Sequence, residues 1–394
     1  MMKKYFAVQH VCIFWYAFGH RNLERTAILC AITPEIGACD KLPNEFVFYW
    51  VTMLKMPLYR PQELAFLTQY AELKERSLQA GALLPGTPGT LYLRRGSGSG
   101  YWYRVYYSVP GKQSETLVCR EDDTAGRDAM QDKIDFANWS AKQVSALRKL
   151  GFQVADKTVA RVLVELHNLG AFEAGLVLVG TLAYMAWLNE FGAIAVSART
   201  QDIDLARRQT LKLATPLKFL KTIQATGLPF AEVPGFPSTQ ASTSVKLPGV
   251  QGLRVDILAP GAPLGHIIQI PELSWAAQAI PHYDYLLADP VPATLLAGGH
   301  CIPLHLPEAS RLVWHKLYAA ANRRGFPEKA AKDRLQAATL AAVLAETEPE
   351  NLTSAFDAAP EEVKRAAALQ FGALEKLLAR HEACHALLRE CVAR

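Results

Sequence analysis

No CxxC pair occurs in this sequence, and its seven cysteines (Cys12, Cys30, Cys39, Cys119, Cys301, Cys384 and Cys391) are odd in number and widely scattered. That distribution excludes a disulfide framework and a zinc ribbon, and it fits a reducing cytoplasm. Apolar runs long enough to span a bilayer are also lacking, so no membrane partner is expected. The stretch KKYFAVQHVCIFWYAFGH imitates a signal peptide, but Gln9 and His10 interrupt its apolar run. There is no internal repeat and no low-complexity tract. A strong charge of either sign is missing too: a formal +5 over 394 residues is compatible with a nucleotide or nucleic-acid partner without arguing for one.

Hydrophobic residues make up 50% of the chain and charged residues 20%, so a sizeable core and a globular fold follow. At this length two or three domains are expected. Residues 1–55 read as a poorly packed extension, with a start at Met53 or Met56 and a signal sequence as alternatives. Residues 56–150 read as a helix plus β-hairpin accessory region, 151–305 as the core, and 306–394 as a helical domain.

The local patterns behind that division are these. PQELAFLTQYAELKERSLQA (61–80) has apolar residues at helical spacing, a proline at its start and Gly81 after its end. GTPGTLYLRRGSGSGYWYRVYYSV reads as two β-prone runs around a Gly/Ser turn, extended by SETLVC at 114–119. Helical patterning returns over 123–150 and 156–169. AGLVLVG (174–180) has the length of a buried strand, and TLAYMAWLNEFG reads as a helix ending at Gly192. QDIDLA (201–206) and GLRVDILAP (252–260) are strands with acids inside an apolar frame. From Pro307 the pattern is helical: 308–323, 327–346, and one longer stretch from 360 to 392. This order predicts an α/β (α+β) fold, a mixed-sheet core with helices appended.

Acids in an apolar frame are costly unless paired or bound to a metal. In QDIDLA, Asp202 and Asp204 stand at i and i+2, so on a strand both point to one face while Ile203 and Leu205 point to the core. Two carboxylates a few ångströms apart repel, and a divalent cation between them relieves the repulsion. Oxygen-only ligands suit magnesium or manganese. Asp256, in VDI, supplies a third acid from a neighbouring strand. Three such acids fit a pair of ions that bridge a triphosphate and activate a hydroxyl.

Upstream, LVLVGTLAYMAW passes from a buried strand through Gly180 and Thr181 straight into a helix. Glycine lets a phosphate approach the backbone, and the helix start offers free N–H groups. The bland reading is a simple turn with Thr181 as the N-cap. The conjunction of a strand–Gly–Thr–helix turn, an acid-x-acid strand and a later acid on another strand is much narrower than any one of them.

That constellation resembles the nucleotidyltransferase superfamily of the polymerase-β type, whose signature is a Gly-Gly or Gly-Ser turn, an acid-x-acid strand and a third acid. Here threonine stands at the second turn position and keeps the hydroxyl. GTLAY and TQDIDLA are similar to a bacterial branch with a GTxA turn and a TxDIDLA strand, related to type IV toxins that nucleotidylate tRNA. The resemblance covers residues 60–345 and is strongest over 175–260. It implies a nucleotidyltransferase core that uses Mg²⁺ or Mn²⁺ and a nucleoside triphosphate. Asp202, Asp204 and Asp256 would be catalytic and metal-binding, and Gly180 and Thr181 would hold the triphosphate. It further implies an RNA acceptor such as tRNA, an antitoxin partner, and lysines from a following helical region. SRLVWHKLYAAANRR places Lys316 and Arg323 on one helical face, and Lys332 follows on the next helix.

Three other readings stand beside this one. A regulatory module could keep the fold and bind nucleotide without turnover. HEACH (381–385) satisfies HExxH, so a helix there would place His381 and His385 on one face with Glu382 nearby, as in zinc proteases. YWYRVYY with Arg94, Arg95, Arg104 and Lys112 reads either as sheet packing or as an aromatic, basic face for single-stranded RNA.

Overall fold

The structure is a computed structural model that describes residues 57–394 apart from 97, 110, 236 and 324, and the backbone alone of 12–14 and 28–30. The chain divides into two units, Met1–Lys55 and Met56–Arg394. In the first, β1 (Cys12–Phe14) pairs antiparallel with β2 (Ile28–Cys30). The expected poor packing of residues 1–55 falls outside the described residues.

The second unit opens with β3 (Tyr59–Pro61) and α1 (Leu64–Gln79). An antiparallel three-stranded sheet follows, made of β4 (Thr90–Arg95), β5 (Gly100–Val109) and β6 (Lys112–Arg120). Helix α2 (Thr124–Lys149) comes next. The Asp123 side chain caps it by accepting from the Gly126 N–H at 2.8 Å, and Arg148 and Lys149 face the negative end of its dipole.

The core begins with α3 (Lys157–Asn168), then β7 (Leu176–Val179), α4 (Gly180–Glu190), β8 (Ala193–Ala195) and β9 (Asp202–Arg207). It continues through α5 (Phe219–Ala225), β10 (Ala231–Glu232), β11 (Ser244–Lys246) and β12 (Arg254–Pro260). The last core elements are β13 (Ile267–Ile270), β14 (Trp275–Ile280), α6 (Tyr283–Leu286), β15 (Val291–Ala297) and β16 (His300–Leu306). Strands β7 and β9 to β14 form one mixed sheet with β12 at its centre. Parallel β9 lies along one edge of β12, while antiparallel β11 and parallel β14 share the other. All four residues of β7 are buried. Ile203, Leu205, Val255 and Ile257 are fully buried, each worth about 1.5–3 kcal/mol of transfer free energy. The mixed α+β class expected from the sequence is the one observed.

Five helices complete the chain: α7 (Ala309–Asn322), α8 (Pro327–Thr347), α9 (Pro349–Asp357), α10 (Glu361–Leu377) and α11 (Glu382–Ala393). The single long helix expected over 360–392 is two helices. Its periodicity is unbroken, but Nε2 of His381 accepts the backbone N–H of Leu58 at 3.0 Å, and its ring stacks on Tyr59. Those tertiary contacts hold His381 outside the helix as the N-cap residue of α11. Among the described residues no helix is long and apolar enough to cross a membrane.

Candidate active site

Strand alternation decides which side chains share a face, and register decides which become neighbours. The parallel pairing of β9 and β12 places Asp256 beside Asp204 and Arg254 beside Asp202. On the far edge of β9, antiparallel β7 sets Val179 beside Asp204. On the far edge of β12, β11 brings Ser244 beside Asp256. One row across four strands therefore runs Val179, Asp204, Asp256, Ser244. Asp202 and Arg254 lie two residues back on the same face.

Gly180 follows Val179 and opens α4. Its φ is +71°, a backbone conformation that side chains resist, and a Cβ added there would collide with Oδ2 of Asp204. The turn thus seats the helix start directly on the acid row. Val179, not Thr181, is the N-cap residue; Thr181 lies buried in the first turn, and no side chain caps the helix.

None of the described residues donates a hydrogen bond to the carboxylate of Asp202 or Asp204; the contacts at Asp202 are backbone ones to Thr200. Burial, with the charges of Asp256 and Asp202 added, pushes the Asp204 carboxyl up to about 7, against the pull of Lys316 and Lys332. Asp256 differs. Ser244 Oγ donates to its Oδ1, Arg254 Nε donates to the same oxygen at 2.7 Å, and Arg254 Nη2 donates to Ser244 Oγ at 2.6 Å. Among the described residues no three His, Cys, Asp or Glu side chains are already gathered at metal-binding distances. Arg254 and Ser244 engage one oxygen of Asp256, Oδ1, which fixes the orientation of that carboxylate beside Asp204. The donors themselves fit a hard divalent cation: all are carboxylate oxygens, and two carboxylates lack any counter-charge bonded to them.

The basic residues reach the row from two helices. Lys316 of α7 is buried; its Nζ donates to Gln336 Oε1 at 2.7 Å and lies 3.4 Å from Asp333 Oδ1. Burial lowers its pKa, while Asp333 and Asp204 raise it. Arg323 Nε binds the other oxygen of Asp333 at 2.5 Å. Lys332 of α8 is half-buried and reaches the Arg199 carbonyl at 3.5 Å. Burial and the charge of Lys316 lower its pKa, offset in part by Asp333, Asp202 and Asp204. The charges of Lys316 and Lys332 thus act on the carboxylates, and Asp333 binds both Lys316 and Arg323.

A family described as nucleotidyltransferase matches residues 157–361, just over half of the chain. The chain belongs to the nucleotidyltransferase family. No curated protein and no solved structure matches it. The matched span of this nucleotidyltransferase contains Gly180, Thr181, Asp202, Asp204, Asp256, Lys316, Arg323 and Lys332.

Several residues of the site were missed by sequence reasoning. Arg254 stands two residues before Asp256 on one strand, so the alternation that singled out Asp202 and Asp204 could have found it. Ser244, Asp333 and Gln336 carry no such signal, because their partners lie on other elements. Tyr283 is buried within electrostatic range of Asp204 and Asp256. Burial raises its pKa, as do Asp204, Asp333 and Asp256, against Arg323. His282 before it adopts a left-handed φ of +60°.

In HEACH, residues 382–385 form the first turn of α11 and only His381 lies outside it, and the two histidines are engaged with different partners. His381 precedes α11, with Nε2 bonded to Leu58, while His385 stacks on Phe371 and neighbours Glu375 at 3.5 Å. On the hairpin, three of the four basic residues are already engaged. Arg94 forms a bidentate pair with Glu115, Arg95 pairs with Glu121, and buried Arg104 donates to the carbonyls of Pro85, Thr87 and Pro88.

Proposed function

We propose that this nucleotidyltransferase moves a nucleoside monophosphate from a nucleoside triphosphate to an acceptor hydroxyl, releases pyrophosphate, and depends on Mg²⁺ or Mn²⁺. The observation that carries the reading is the pair of acids, Asp202 and Asp204, held unbonded beside Asp256 and directly under the Gly180 turn. Unpaired carboxylates in a partly buried row are a standing electrostatic cost, which makes them a receptor for cationic ligands. Asp202, Asp204 and Asp256 would hold the ions. Bound there, the metal supplies charge neutralisation of the triphosphate and a lowered pKa for the acceptor hydroxyl.

The chain's own residues do the rest. The uncapped start of α4, with the Thr181 hydroxyl, presents donors to the phosphates. Lys316 and Lys332 offset the negative charge gathered there, and Asp333 fixes Lys316 and Arg323. The acceptor oxygen bonds to the α-phosphorus as the bond from that phosphorus to the bridging oxygen breaks, so pyrophosphate leaves with its electron pair. Asp256 takes the hydroxyl proton, oriented for it by Arg254 and Ser244. We assign the acceptor to RNA, tRNA foremost, and an antitoxin partner to the same branch, on the similarity of GTLAY and TQDIDLA. The compartment is the cytoplasm, where Cys119, Cys301, Cys384 and Cys391 would stay as the free thiols they are here.

The test incubates purified protein with Mg²⁺, each α-labelled triphosphate in turn, and total RNA plus a cell extract, against the Asp202→Ala/Asp204→Ala double variant. Label in RNA with the wild type alone is the expected result. Label in protein reassigns the acceptor to protein side chains. Neither label nor triphosphate binding overturns the reading.

A further inference from the structure

We infer that the cavity beside Asp202 receives the nucleoside portion, base and ribose, of the triphosphate; this rests on the nucleotidyltransferase reading above. The cavity measures about 520 Å³, the size of a small-molecule site. Its walls include Leu182 and Met185 of α4, Ser197, Arg199 and Thr200 of the loop entering β9, and Arg148 at the end of α2. Leu182 lies two residues beyond Gly180, and Thr200 two residues before Asp202. Two residues reach at most about 7 Å, so the cavity lies within that distance of both the helix start and the backbone of Asp202.

The cavity and the acids are also mechanically joined. The backbone N–H of Asp202 donates to Thr200 Oγ1 at 3.2 Å, and Lys332, whose charge acts on the acids, reaches the Arg199 carbonyl. A ligand held by the carboxylates is therefore positioned against the cavity wall.

The flank on which the cavity lies decides between the two substrates. Every wall segment belongs to α2, α3, α4, β8 or the loops joined to them, and none to β11 or β12. Asp256, which accepts the acceptor's proton, is on β12, so the acceptor approaches from that side. The β7–β9 flank is left for the triphosphate's own nucleoside.

The wall chemistry suits a base. Gln153 is buried there, with its amide already engaged: Oε1 accepts from Ala198 N at 3.2 Å, and Nε2 donates to Ala195 O at 3.4 Å. That leaves Leu182 and Met185 as an apolar floor. At the rim, Arg148 and Arg199 are exposed, and neither has a carboxylate partner among the described residues. By contrast, Arg207, Arg254, Arg311 and Arg323 all have one. Arg148 Nη2 donates only to the Val154 carbonyl, at 3.4 Å, and a guanidinium plane without a carboxylate partner can stack on a nucleobase face.

The test measures dissociation constants by calorimetry for Mg²⁺ with each nucleoside triphosphate and for Mg²⁺ with inorganic tripolyphosphate, which lacks a nucleoside. The variants are Ser197→Trp, which fills the cavity mouth from an exposed position, and Arg148→Ala on the opposite rim, far from the acids in sequence. Ser197→Trp should weaken the best triphosphate at least about ten-fold and leave tripolyphosphate within about two-fold, and Arg148→Ala should act in the same sense. Unchanged triphosphate affinity in both variants, or equal weakening of both ligands, overturns the assignment. Unchanged triphosphate affinity with a raised KM for RNA gives the cavity to the acceptor instead. Failure of the wild type to bind either ligand overturns the nucleotidyltransferase reading itself, a result distinguishable from failure of the cavity variants alone.

Discussion

Gly180 and Asp204 are packed against each other: the carboxylate of Asp204 occupies the space that a side chain at position 180 would need. The contact sets the turn that would hold phosphate against the acid that would hold metal, and the pairing of β7 with β9 keeps the two strands together.

Gly180→Ala should therefore injure both fold and function. The left-handed backbone alone costs a non-glycine residue about 1–2 kcal/mol, and the added methyl group must also push Asp204 aside. Urea denaturation should show that loss, and calorimetry should show weakened Mg²⁺–triphosphate binding.

Asp204→Asn removes the middle charge of the row. In metal-free buffer at neutral pH the variant should melt above the wild type, because the amide ends the repulsion from Asp202 and Asp256. The rise in Tm that Mg²⁺ plus triphosphate gives the wild type should vanish, and transfer should fall by at least about a hundred-fold. A variant that keeps its ligand-dependent Tm shift would contradict the metal assignment.

Arg254 touches Asp256 and Ser244, and its role is to position the third acid. Arg254→Ala should lower kcat about ten-fold or more while leaving KM for the triphosphate within about two-fold. A change confined to KM would place Arg254 on the nucleotide instead.

Asp333 is the counter-charge shared by Lys316 and Arg323. Asp333→Ala leaves a buried lysine without its carboxylate, and removal of one member of such a buried pair costs about 3–5 kcal/mol. Chemical denaturation checks the magnitude. Asp333→Glu, which restores the charge, should recover much of it.

His300 sets a pH limit on the fold. Burial lowers its pKa to about 4 from the ordinary 6.5. The unfolded chain therefore takes up a proton between those values before the folded chain does. The stability this residue contributes is complete above pH 6.5 and lost as pH falls towards 4, with an upper bound of about 3 kcal/mol. His315, lowered to about 4 by burial, acts in the same direction. Unfolding free energies followed from pH 7 to pH 4 should fall less steeply in His300→Gln.

What the sequence by itself determined was local and periodic. A two-residue period put Asp202 and Asp204 on one face. Apolar residues and a glycine marked the strand-to-helix turn at Gly180, and alternation set Asp256 in an apolar strand. These features depend on near neighbours along the chain, so a short window contains them. The sequence alone did not show that Asp256 is clamped, because Ser244 comes from another strand through register. Nor did it show that Lys316 is anchored by Gln336 and Asp333, which are on the following helix. The same limit produced the error over 360–392 and left the two readings of YWYRVYY open. An unbroken helical period was interrupted at His381 by an amide from Leu58, and on a seemingly basic hairpin two arginines are paired by Glu115 and Glu121 while Arg104 is buried on three carbonyls. Pairing energies between distant residues leave no period in the sequence. Only the tertiary structure decides them, because only there are both partners within bonding distance.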